Sequence, residues 1–433
     1  MTTTETSRTA DFSQTDFCDP RVFDDPYELF DWLRSLDHLH YDPKNDLYIA
    51  ARHEDVFAIS RDDDLYCCKY GVRPKIAGDM SIITLDGEEH TRQRRLINKG
   101  FTPRRVRELI PHIRQLTNEI IDQIADRGHI DFVEDFAIHV PLIVICELMG
   151  LPPEQRLDMY RWSDDMMAGD GHVEADSPQL IAAAEAFGEY CTILVDLIAE
   201  KRENPKDDLI SILTRAFDAG DITKEFKAYQ GVSEEELAKM AEADSEQLKD
   251  DELLAFLTVR LVAGNETTRN AITGGFAALS RFPKQKQLML DHIDDEAFMD
   301  LAADELVRFV TPVIGFIRTV TRAHVFHNTA LKEGDRILML YGAANRDSAA
   351  FTNPDELDLT RDPNPHLGFG IGAHFCLGSN LARAEIKTVF QELFKRLPDI
   401  TVPEGIVPGR GDSTLVLALQ DVPADYSACP VAH

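Results

Sequence analysis

The sequence is short of positive charge. Lysine and arginine number 45 against 76 aspartates and glutamates, so the formal net charge of the 433-residue chain is −31. A nucleic-acid-binding surface concentrates lysine and arginine to neutralise phosphates. The charge balance therefore argues against nucleic acid as a partner. It is typical of a protein whose copies repel one another in solution, and we expect a monomer.

Long apolar runs are also missing. The longest, about "HVPLIVICELMGL", is shorter than the roughly 20 residues that a membrane-spanning helix needs, and it contains Glu147. The N-terminal "MTTTETSRTADFSQTDF" has no apolar core and no positive flank, so we expect no cleaved secretion signal. These absences predict a cytoplasmic protein without a membrane span.

Cysteine pairs with a recognisable spacing are absent as well. The seven cysteines are an odd number and form no C-x-x-C pair, so reduced thiols in a cytoplasm are the simplest account. Cys376 stands apart from the others because it lies in "GFGIGAHFCLGSNLARA", where glycines crowd around a single thiol. This stretch is the main candidate for a functional site.

Helical periodicity dominates the rest of the chain. The longest helical segment runs from Asp250 and ends at Pro283, and "HVPLIVICELMGL" is predicted to be a buried helix that ends at Gly150. The predicted strands are short: "DLYIAA" near Tyr48, the segment Phe316–Asn345, and "STLVLAL" near the C-terminus. Helix therefore exceeds strand, and the strands concentrate towards the two ends.

Two segments have unusual charge. Asp221–Glu252 is strongly acidic and is predicted to be a solvated loop or surface helix. The segment from Arg92 to Arg107 is basic and contains no acidic residue. It is either a docking face for an acidic partner or an ordinary salt-bridged helix surface. Its cations are Arg92, Arg94, Arg95, Lys99, Arg104, Arg105 and Arg107.

Three chemistries compete for Cys376. A zinc site needs further ligands at recognisable spacing beyond His374, and none lies nearby. A nucleophilic thiol needs a partnered histidine, and His374 is too close in sequence for the usual arrangement, although the sequence leaves this open. Haem ligation fits better, because glycines let the backbone approach a flat macrocycle where a Cβ would clash. The following "LGSNLARAEI" can begin a helix whose N-terminus favours the negative sulfur.

The cysteine loop resembles the haem-binding loop of cytochrome P450 monooxygenases. That loop follows F-x-x-G-x-H/R-x-C-x-G, and the sequence matches it at Phe369, Gly372, His374, Cys376 and Gly378. The resemblance implies haem b as cofactor, with Cys376 as the axial ligand of the iron. It also implies that the loop residues contact the cofactor, namely Phe369, Gly370, His374 and Gly378.

A second motif, "AGNETT", resembles the family's oxygen-activation sequence A/G-G-x-D/E-T. The resemblance implies that Ala263 and Gly264 leave room for dioxygen against the haem. It implies that the carboxylate of Glu266 and the hydroxyl of Thr267 relay protons, with Thr268 a lesser candidate. A threonine that bonds back to its own helix is the purely structural alternative.

Further matches concern buried charge. Glu305 and Arg308 in "DELVRF" resemble the family's E-x-x-R pair, which implies a buried network that Arg361 joins. His90 and Arg94 in "HTRQR" resemble residues that contact a haem propionate. Arg318 and His374 look like further propionate partners, since anionic carboxylates need cations or hydrogen-bond donors.

The resemblance covers nearly the whole chain and implies one cytochrome P450 domain over residues 25–422. Residues 1–24 and 423–433 are expected to be N-terminal and C-terminal tails. The implied fold is mainly α with a small β-rich lobe.

The implied activity is insertion of one atom of dioxygen into a C–H bond of an apolar molecule, either a sterol, a terpenoid or a fatty-acid-like lipid. The stretches "AGNETTRNAITGG" and "PNPHLGFG" look like the actinobacterial branch that hydroxylates such compounds. The segments expected to face the substrate are Lys69–Ile83, Met166 with Met167, Val259–Ala263, Pro312–Phe316 and the turn near Thr414.

Electron donors and alternatives complete the hypothesis. The chain contains no flavin or iron–sulfur extension, so a ferredoxin and its reductase are expected to supply electrons, docking at the basic segment and Lys387. A haem-thiolate peroxygenase driven by hydrogen peroxide is the nearest alternative, but such enzymes typically lack the acid–alcohol pair. A haem-containing ligand-binding protein without turnover is the other.

Overall fold

The computed structural model describes residues 11–75, 81–98, 101–169, 176–206, 208–218, 250–411 and 413–428. Lys99, Cys429 and most of the acidic segment predicted at Asp221–Glu252 lie outside these residues. Only the last three residues of that segment are described, and they begin a long helix.

Helices make up most of the described structure. Their bounds are α1 Tyr27–Ser35, α2 His53–Arg61, α3 Gly87–Asn98, α4 Pro103–Ile124, α5 His139–Met149, α6 Arg156–Ala168, α7 Pro178–Glu203, α8 Leu209–Asp218, α9 Asp250–Arg281, α10 Pro283–Asp291, α11 Glu296–Val310, α12 Tyr341–Ala344 and α13 Ser379–Arg396. The bounds of α4, α5 and α9 agree with the sequence signals. Thr102 caps α4 just before Pro103, Gly150 ends α5 at a φ of 80°, and Pro283 follows α9.

The described strands are short and form one five-stranded sheet and three two-stranded sheets. Their bounds are β1 His40–Asp42, β2 Leu47–Ala50, β3 Tyr66–Cys67, β4 His129–Asp131, β5 Gly315–Val320, β6 His324–Phe326, β7 Thr329–Leu331, β8 Arg336–Leu340, β9 Gly409–Arg410, β10 Leu419–Gln420 and β11 Pro423–Asp425. The main sheet has the order β1-β2-β8-β5-β3. Strand β2 runs parallel to β8, and the other neighbours are antiparallel. The predicted mainly α fold with a small β-rich lobe is therefore confirmed.

The register of this sheet brings distant segments together. Arg318 lies opposite Ile337, and Cys67 lies opposite Thr319. Strand β3 continues directly into Cys68, so the sheet places the segment after β3 beside β5. The segment after β3 and strand β5, about 250 residues apart in sequence, are thereby brought side by side.

The helical core forms around α9. Ile272 and Phe276 of α9 are fully buried with Leu306 of α11 and Phe390 of α13 in one apolar cluster. The ring of Phe276 stacks on that of Phe132, with centroids 3.8 Å apart. Burying an aromatic or aliphatic side chain of this size stabilises the folded state by about 1.5–3 kcal/mol. Packing from several sides therefore keeps the long helix in the centre of the molecule.

A buried charge network fastens α11 to the segment that precedes the cysteine loop. Glu305 accepts hydrogen bonds from Arg308 Nε at 2.7 Å and from Arg361 Nε at 3.0 Å. Arg308 Nη1 also donates to the carbonyls of Asn345 and Pro354, each at 2.8 Å. Both Glu305 and Arg308 are 0% exposed. The predicted network, including Arg361, is confirmed by these contacts.

The packed structure extends beyond the predicted domain boundaries at residues 25 and 422. Phe17 and Phe23 are buried in an apolar cluster with Ile317 of β5. At the other end β11 pairs with β4, and the hydroxyl of Tyr426 donates to the carbonyl of Ile124 at 2.6 Å. These flanking segments hold to the domain because their aromatic side chains find apolar partners.

Two further comparisons with the sequence concern the C-terminal strand and the membrane. The predicted strand "STLVLAL" is not continuous, since Val416 makes only an isolated bridge to Val313 and β10 begins at Leu419. Over the described ranges, every helix is too short or too polar to cross a bilayer.

Candidate functional site

The cysteine loop is closed by its own backbone. The amide of Cys376 donates to the carbonyl of Phe369 at 2.8 Å, and the amide of Gly370 donates to that of Leu367 at 2.9 Å. A short 3₁₀ turn, Gly372–His374, lies between them. Helix α13 begins at Ser379, so the helix N-terminus follows the sulfur within three residues and favours a negative charge there.

One glycine of the loop is required by its surroundings. Gly372 has a φ of 76°, in the region that side chains rarely adopt, and an added Cβ would lie 2.7 Å from the carbonyl oxygen of Ser60 at the end of α2. At Gly372 the loop therefore lies closer to the neighbouring backbone than a residue with a side chain would allow.

A large cavity lies against this loop. Its empty volume is about 1500 Å³, counting the space in its open mouth. The predicted cofactor residues all lie on its wall, as do Thr267 and Thr268. These cofactor residues are His90, Arg94, Ala263, Gly264, Arg318, Phe369, Gly370, His374, Cys376 and Gly378.

Several wall residues were missed by sequence reasoning. Val307 lies on α11 one residue before the buried Arg308, and Tyr341 begins α12. Helical periodicity marks Val307 as buried, but it does not indicate which cavity a buried residue faces. No local signal distinguishes such residues from ordinary core residues.

Only part of the predicted substrate-facing surface lies on the cavity wall. Val72, Ile82 and Ile83 come from the first predicted segment, Val259 comes from α9, and Phe316 comes from β5. Among the described residues, Met166, Met167 and Thr414 are not on the wall. Met167 is instead buried in α6.

Four basic side chains line one part of the cavity. The rings of His90 and His374 stack with centroids 4.1 Å apart, next to Arg94 and Arg318. Burial lowers the pKa of His90 to about 4, assisted by the charge of Arg94. Burial also lowers the pKa of His374 well below its usual value, with Arg318 the next cause. The histidines are therefore neutral at pH 7, and each can donate one hydrogen bond beside two guanidinium groups.

The segment after β3 contacts this group of basic residues. Cys68 Sγ lies 3.4 Å from His374 Nε2. The carboxylate of Asp86 accepts hydrogen bonds from the amides of Cys68 and Lys69, both at 2.9 Å. Asp86 directly precedes α3, so it joins the segment after β3 to the helix that carries His90 and Arg94.

Glu266, predicted to share a catalytic role with Thr267, lies off the cavity wall. Its carboxylate pairs with Arg269 and accepts a hydrogen bond from the hydroxyl of Ser163 at 3.2 Å. Burial raises the pKa of Glu266, although the charge of Arg269 opposes the shift. The network reaches solvent at Asp164, which is 57% exposed and lies 3.9 Å from Arg269. One residue along a helix rotates a side chain by about 100°, which separates Glu266 from the wall that Thr267 lines.

Thr267 bonds back to its helix. Its Oγ1 donates to the carbonyl of Ala263 at 2.9 Å, which is the structural arrangement considered above. The hydroxyl oxygen keeps its acceptor lone pairs, and the residue lies on the cavity wall. The back-bond and a role in the cavity are therefore compatible.

The basic segment is only partly a surface feature. Arg94 lies on the cavity wall and donates to the carbonyl of Phe375, while Arg92 pairs with Glu89 of its own helix. Arg104 and Arg107 are exposed at the start of α4. Lys387, predicted to belong to the same docking face, is only 12% exposed and pairs with Asp300 and Glu296. It does not offer a free charge to a partner.

The residues of the cavity fit a haem group. Cys376 lies on the cavity wall beside glycine-rich backbone, and two arginines with two neutral histidines match a pair of carboxylates. His90 Nε2 is buried and has no hydrogen-bond partner among the described residues, as expected of a group that bonds a ligand. A cysteine beside glycine-rich backbone and an anion-binding corner on one cavity wall together match a haem-thiolate protein.

Comparison with known proteins agrees. The cytochrome P450 family model matches residues 69–408, so the chain belongs to the cytochrome P450 family. It is a P450 monooxygenase that acts on an apolar substrate and binds haem b through Cys376.

Individual relatives align along most of their length. A steroid C26-monooxygenase of Mycobacterium tuberculosis is 33% identical over 402 residues, covering 92% of this chain and 93% of its own. A methyl-branched lipid omega-hydroxylase of the same organism is 33% identical and covers 92% and 86%. The solved structure of a Mycobacterium marinum cytochrome P450 in complex with pseudoionone is 30% identical, with a TM-score of 0.80 and coverage of 92% and 93%.

We expect Gly372→Ala to impair haem binding. The substitution combines an unfavourable φ with the contact to Ser60, so it destabilises the loop by about 1–3 kcal/mol. The measurement is the ratio of haem to protein absorbance in purified protein, which should fall. The matched control is Gly334→Ala. Gly334 has a φ of 90°, but a Cβ added there meets no atom of the described residues within 4 Å, apart from those of Gly334 and its two chain neighbours. Equal haem content in both variants would contradict the assigned role of the contact.

Proposed function

We propose that this P450 hydroxylates a molecule that carries a branched aliphatic chain, either a sterol, a terpenoid or a branched lipid. The observation that carries the proposal is the apolar wall formed by Val72, Ile82, Val259, Val313 and Phe316. Aliphatic and aromatic surface binds an apolar chain and gives no partner to a charged one. The names of the steroid and branched-lipid relatives support the same class.

The proposed reaction inserts one atom of dioxygen into a C–H bond and releases the other as water, using two electrons and two protons. Bound haem supplies the activation of dioxygen, and its thiolate ligand favours O–O cleavage. Arg94, Arg318 and the two histidines hold the haem carboxylates. Ala263 and Gly264 keep the α9 wall free of large side chains near the cysteine loop.

Thr267 and Glu266 serve the proton delivery in this proposal. Thr267 accepts a hydrogen bond from water or a bound group in the cavity, since its own proton is donated to Ala263. Glu266 holds a proton more readily than an exposed glutamate because its burial raises its pKa. Asp164, which is 57% exposed and lies 3.9 Å from Arg269, marks the side at α6 where this network meets solvent.

Electrons are proposed to come from a ferredoxin and its reductase, delivered to a monomeric, cytoplasmic enzyme. The exposed arginines at the start of α4 support a docking site there. Helices α4 and α13 run side by side in the same direction, since Arg114 pairs with Glu392 at 2.8 Å and Asp122 pairs with Arg396 at 2.7 Å. Helix α13 begins beside Cys376. An acidic donor protein bound at α4 therefore approaches the sulfur side of the cofactor.

Substrate class is tested by spectral titration. A sterol and a methyl-branched fatty acid should each shift the haem spectrum of the wild-type protein from low to high spin. Val313→Asp places a carboxylate on the apolar wall and should weaken both titrations at least tenfold, about 1.4 kcal/mol. Val325→Asp, at a valine that is 70% exposed, is the matched control and should bind as the wild type does. A protein that shows the red-shifted thiolate band with carbon monoxide but no spin shift with either ligand would refute the substrate class alone.

Thr267→Ala should uncouple electron consumption from hydroxylation. Loss of the hydroxyl removes a proton-delivery group, so product formed per electron pair should fall at least about tenfold while NADPH consumption continues. Thr258→Ala is the control, because Thr258 makes the same back-bond on α9, to Leu254 at 2.9 Å, and is not on the wall. Full coupling in the Thr267 variant would show that the hydroxyl has no role in the reaction.

Charge reversal should separate the docking site from the rest of the surface. The double variant R104E/R105E should bind ferredoxin about tenfold more weakly at low ionic strength, and the loss should shrink as salt screens the charges. R322E/K332E changes the same charge on exposed residues of the β-rich lobe and should leave binding unchanged. Surface plasmon resonance at two salt concentrations measures both, and equal effects of the two variants would place the docking site elsewhere.

A further inference from the structure

A charged cluster outside the cavity wall contacts the cysteine loop. Its centre is Asp304 of α11, which accepts a hydrogen bond from Arg383 Nε of α13 at 2.6 Å. His366 Nε2 lies 3.4 Å from the same carboxylate oxygen. Burial raises the pKa of Asp304, but its hydrogen bond with His366 and the charge of Arg383 outweigh this effect and leave the pKa low. Asp304 is therefore ionised, and it joins His366, before Cys376 in the chain, to Arg383, after it.

Both partners of Asp304 reach Phe369. The guanidinium carbon of Arg383 lies 4.4 Å from the centroid of the Phe369 ring. The imidazole of His366 lies 5.6 Å from the same ring, centroid to centroid. A cation over an aromatic face is attracted by the negative centre of the ring. The position of the Phe369 ring therefore depends on how Asp304 holds Arg383.

His366 also holds the backbone on the other side of Phe369. The amide of Gly368 donates to His366 Nδ1 at 3.2 Å. A ring nitrogen that accepts cannot carry the proton in neutral imidazole, so the proton is on Nε2 and points to Asp304. Asp304 thereby sets the tautomer of a histidine whose side chain is 4% exposed.

These contacts continue to the sulfur ligand. The carbonyl of Phe369 accepts the hydrogen bond from the amide of Cys376 at 2.8 Å, and both residues line the cavity. The groups around a metal ligand orient it and tune the metal through charge and hydrogen bonding. The Asp304–Arg383 pair is 31% exposed on each side, so its field is only partly screened by water.

We propose that Asp304 is a positioning residue that sets the reduction potential of the bound haem through Arg383, His366 and Phe369. The inference rests on the haem ligation by Cys376 and on no particular substrate. It assigns a role to a carboxylate that contacts neither the cofactor cavity nor a substrate.

The direction of the effect follows from charge. Reduction adds an electron at the iron, so a nearby negative charge disfavours it and a positive charge favours it. Asp304→Asn removes the negative charge that compensates Arg383. The local charge becomes more positive, so the midpoint potential shifts to more positive values. Arg383→Gln removes the cation and shifts the potential to more negative values. The double variant D304N/R383Q should return towards the wild-type potential.

The chain offers a closely matched control. Asp300 lies one turn before Asp304 on α11 and bonds Lys387, which lies one turn after Arg383 on α13, at 2.6 Å. In the described part of the chain, the hydrogen bonds and ion pairs of Lys387 go to Asp300 and Glu296 rather than to the cysteine loop. Asp300→Asn therefore makes the same charge change between the same two helices.

The experiment is a mediated spectroscopic redox titration of each haem-loaded full-length variant, without ferredoxin or substrate. The expected result is a positive shift for Asp304→Asn, a negative shift for Arg383→Gln, and no shift for Asp300→Asn. Haem content and melting temperature are measured in parallel, because a merely structural role would change these and leave the potential unchanged. An unchanged potential in Asp304→Asn, or equal shifts in the Asp304 and Asp300 variants, overturns the inference.

The outcome is distinguishable from a failure of the proposed function. A wild-type protein without the red-shifted carbon monoxide band would refute haem-thiolate ligation itself. A normal band with an unshifted potential in the Asp304 variant refutes only the role of Asp304.

Discussion

The constraint on which the structure depends is the position of one thiol at the edge of a large cavity in a helical protein. The loop that carries Cys376 is held by hydrogen bonds and by the packing of Phe369, Ile371 and Leu377 against the surrounding core. The Cys376–Phe369 backbone bond closes it, and the carbonyl of Ser60 limits it at Gly372. Leu367 joins it to the helical core, since its amide donates to Asn345 Oδ1 at 2.7 Å.

Two carboxylates of α11, Glu305 and Asp304, help to fix the position of this thiol. Glu305 holds Arg308 and Arg361, and through them the carbonyls of the segment that leads to the loop. Breaking one member of a buried ion pair costs about 3–5 kcal/mol, because the remaining charge is left uncompensated. Asp304, the residue before Glu305, pairs with Arg383 and contacts His366, which flank the loop. Two neighbouring carboxylates on α11 thus have different tasks. Glu305 fixes the segment that leads to the loop, and Asp304 fixes residues that contact the loop.

The sequence predicted the site better than its surroundings. Short motifs such as "GIGAHFC" and "AGNETT" are recognisable from local spacing. The residues predicted from them to contact the cofactor lie on one cavity wall, whereas Glu266 and Gly372 do not. Lys387 illustrates the opposite case. Its charge is evident from the sequence, but its neutralisation by Asp300 and Glu296 depends on the packing of α11 against α13. The burial of Phe17 and Tyr426, which lie outside the domain predicted over residues 25–422, likewise depends on segments distant in sequence.

The sequence by itself indicated a cysteine ligand for haem and a mainly helical fold, and its resemblance to the family motifs predicts an acid–alcohol pair on a long helix. These motifs are readable because their residues lie close together in the sequence. Only the tertiary structure decided which side each group faces. It turned Glu266 away from the cavity towards Arg269, stacked His90 on His374, and brought Asp304, Arg383 and His366 to the two sides of Phe369. Apart from the Glu266–Arg269 pair, these contacts join residues tens or hundreds of positions apart, and side-chain direction at that range is set by packing rather than by spacing.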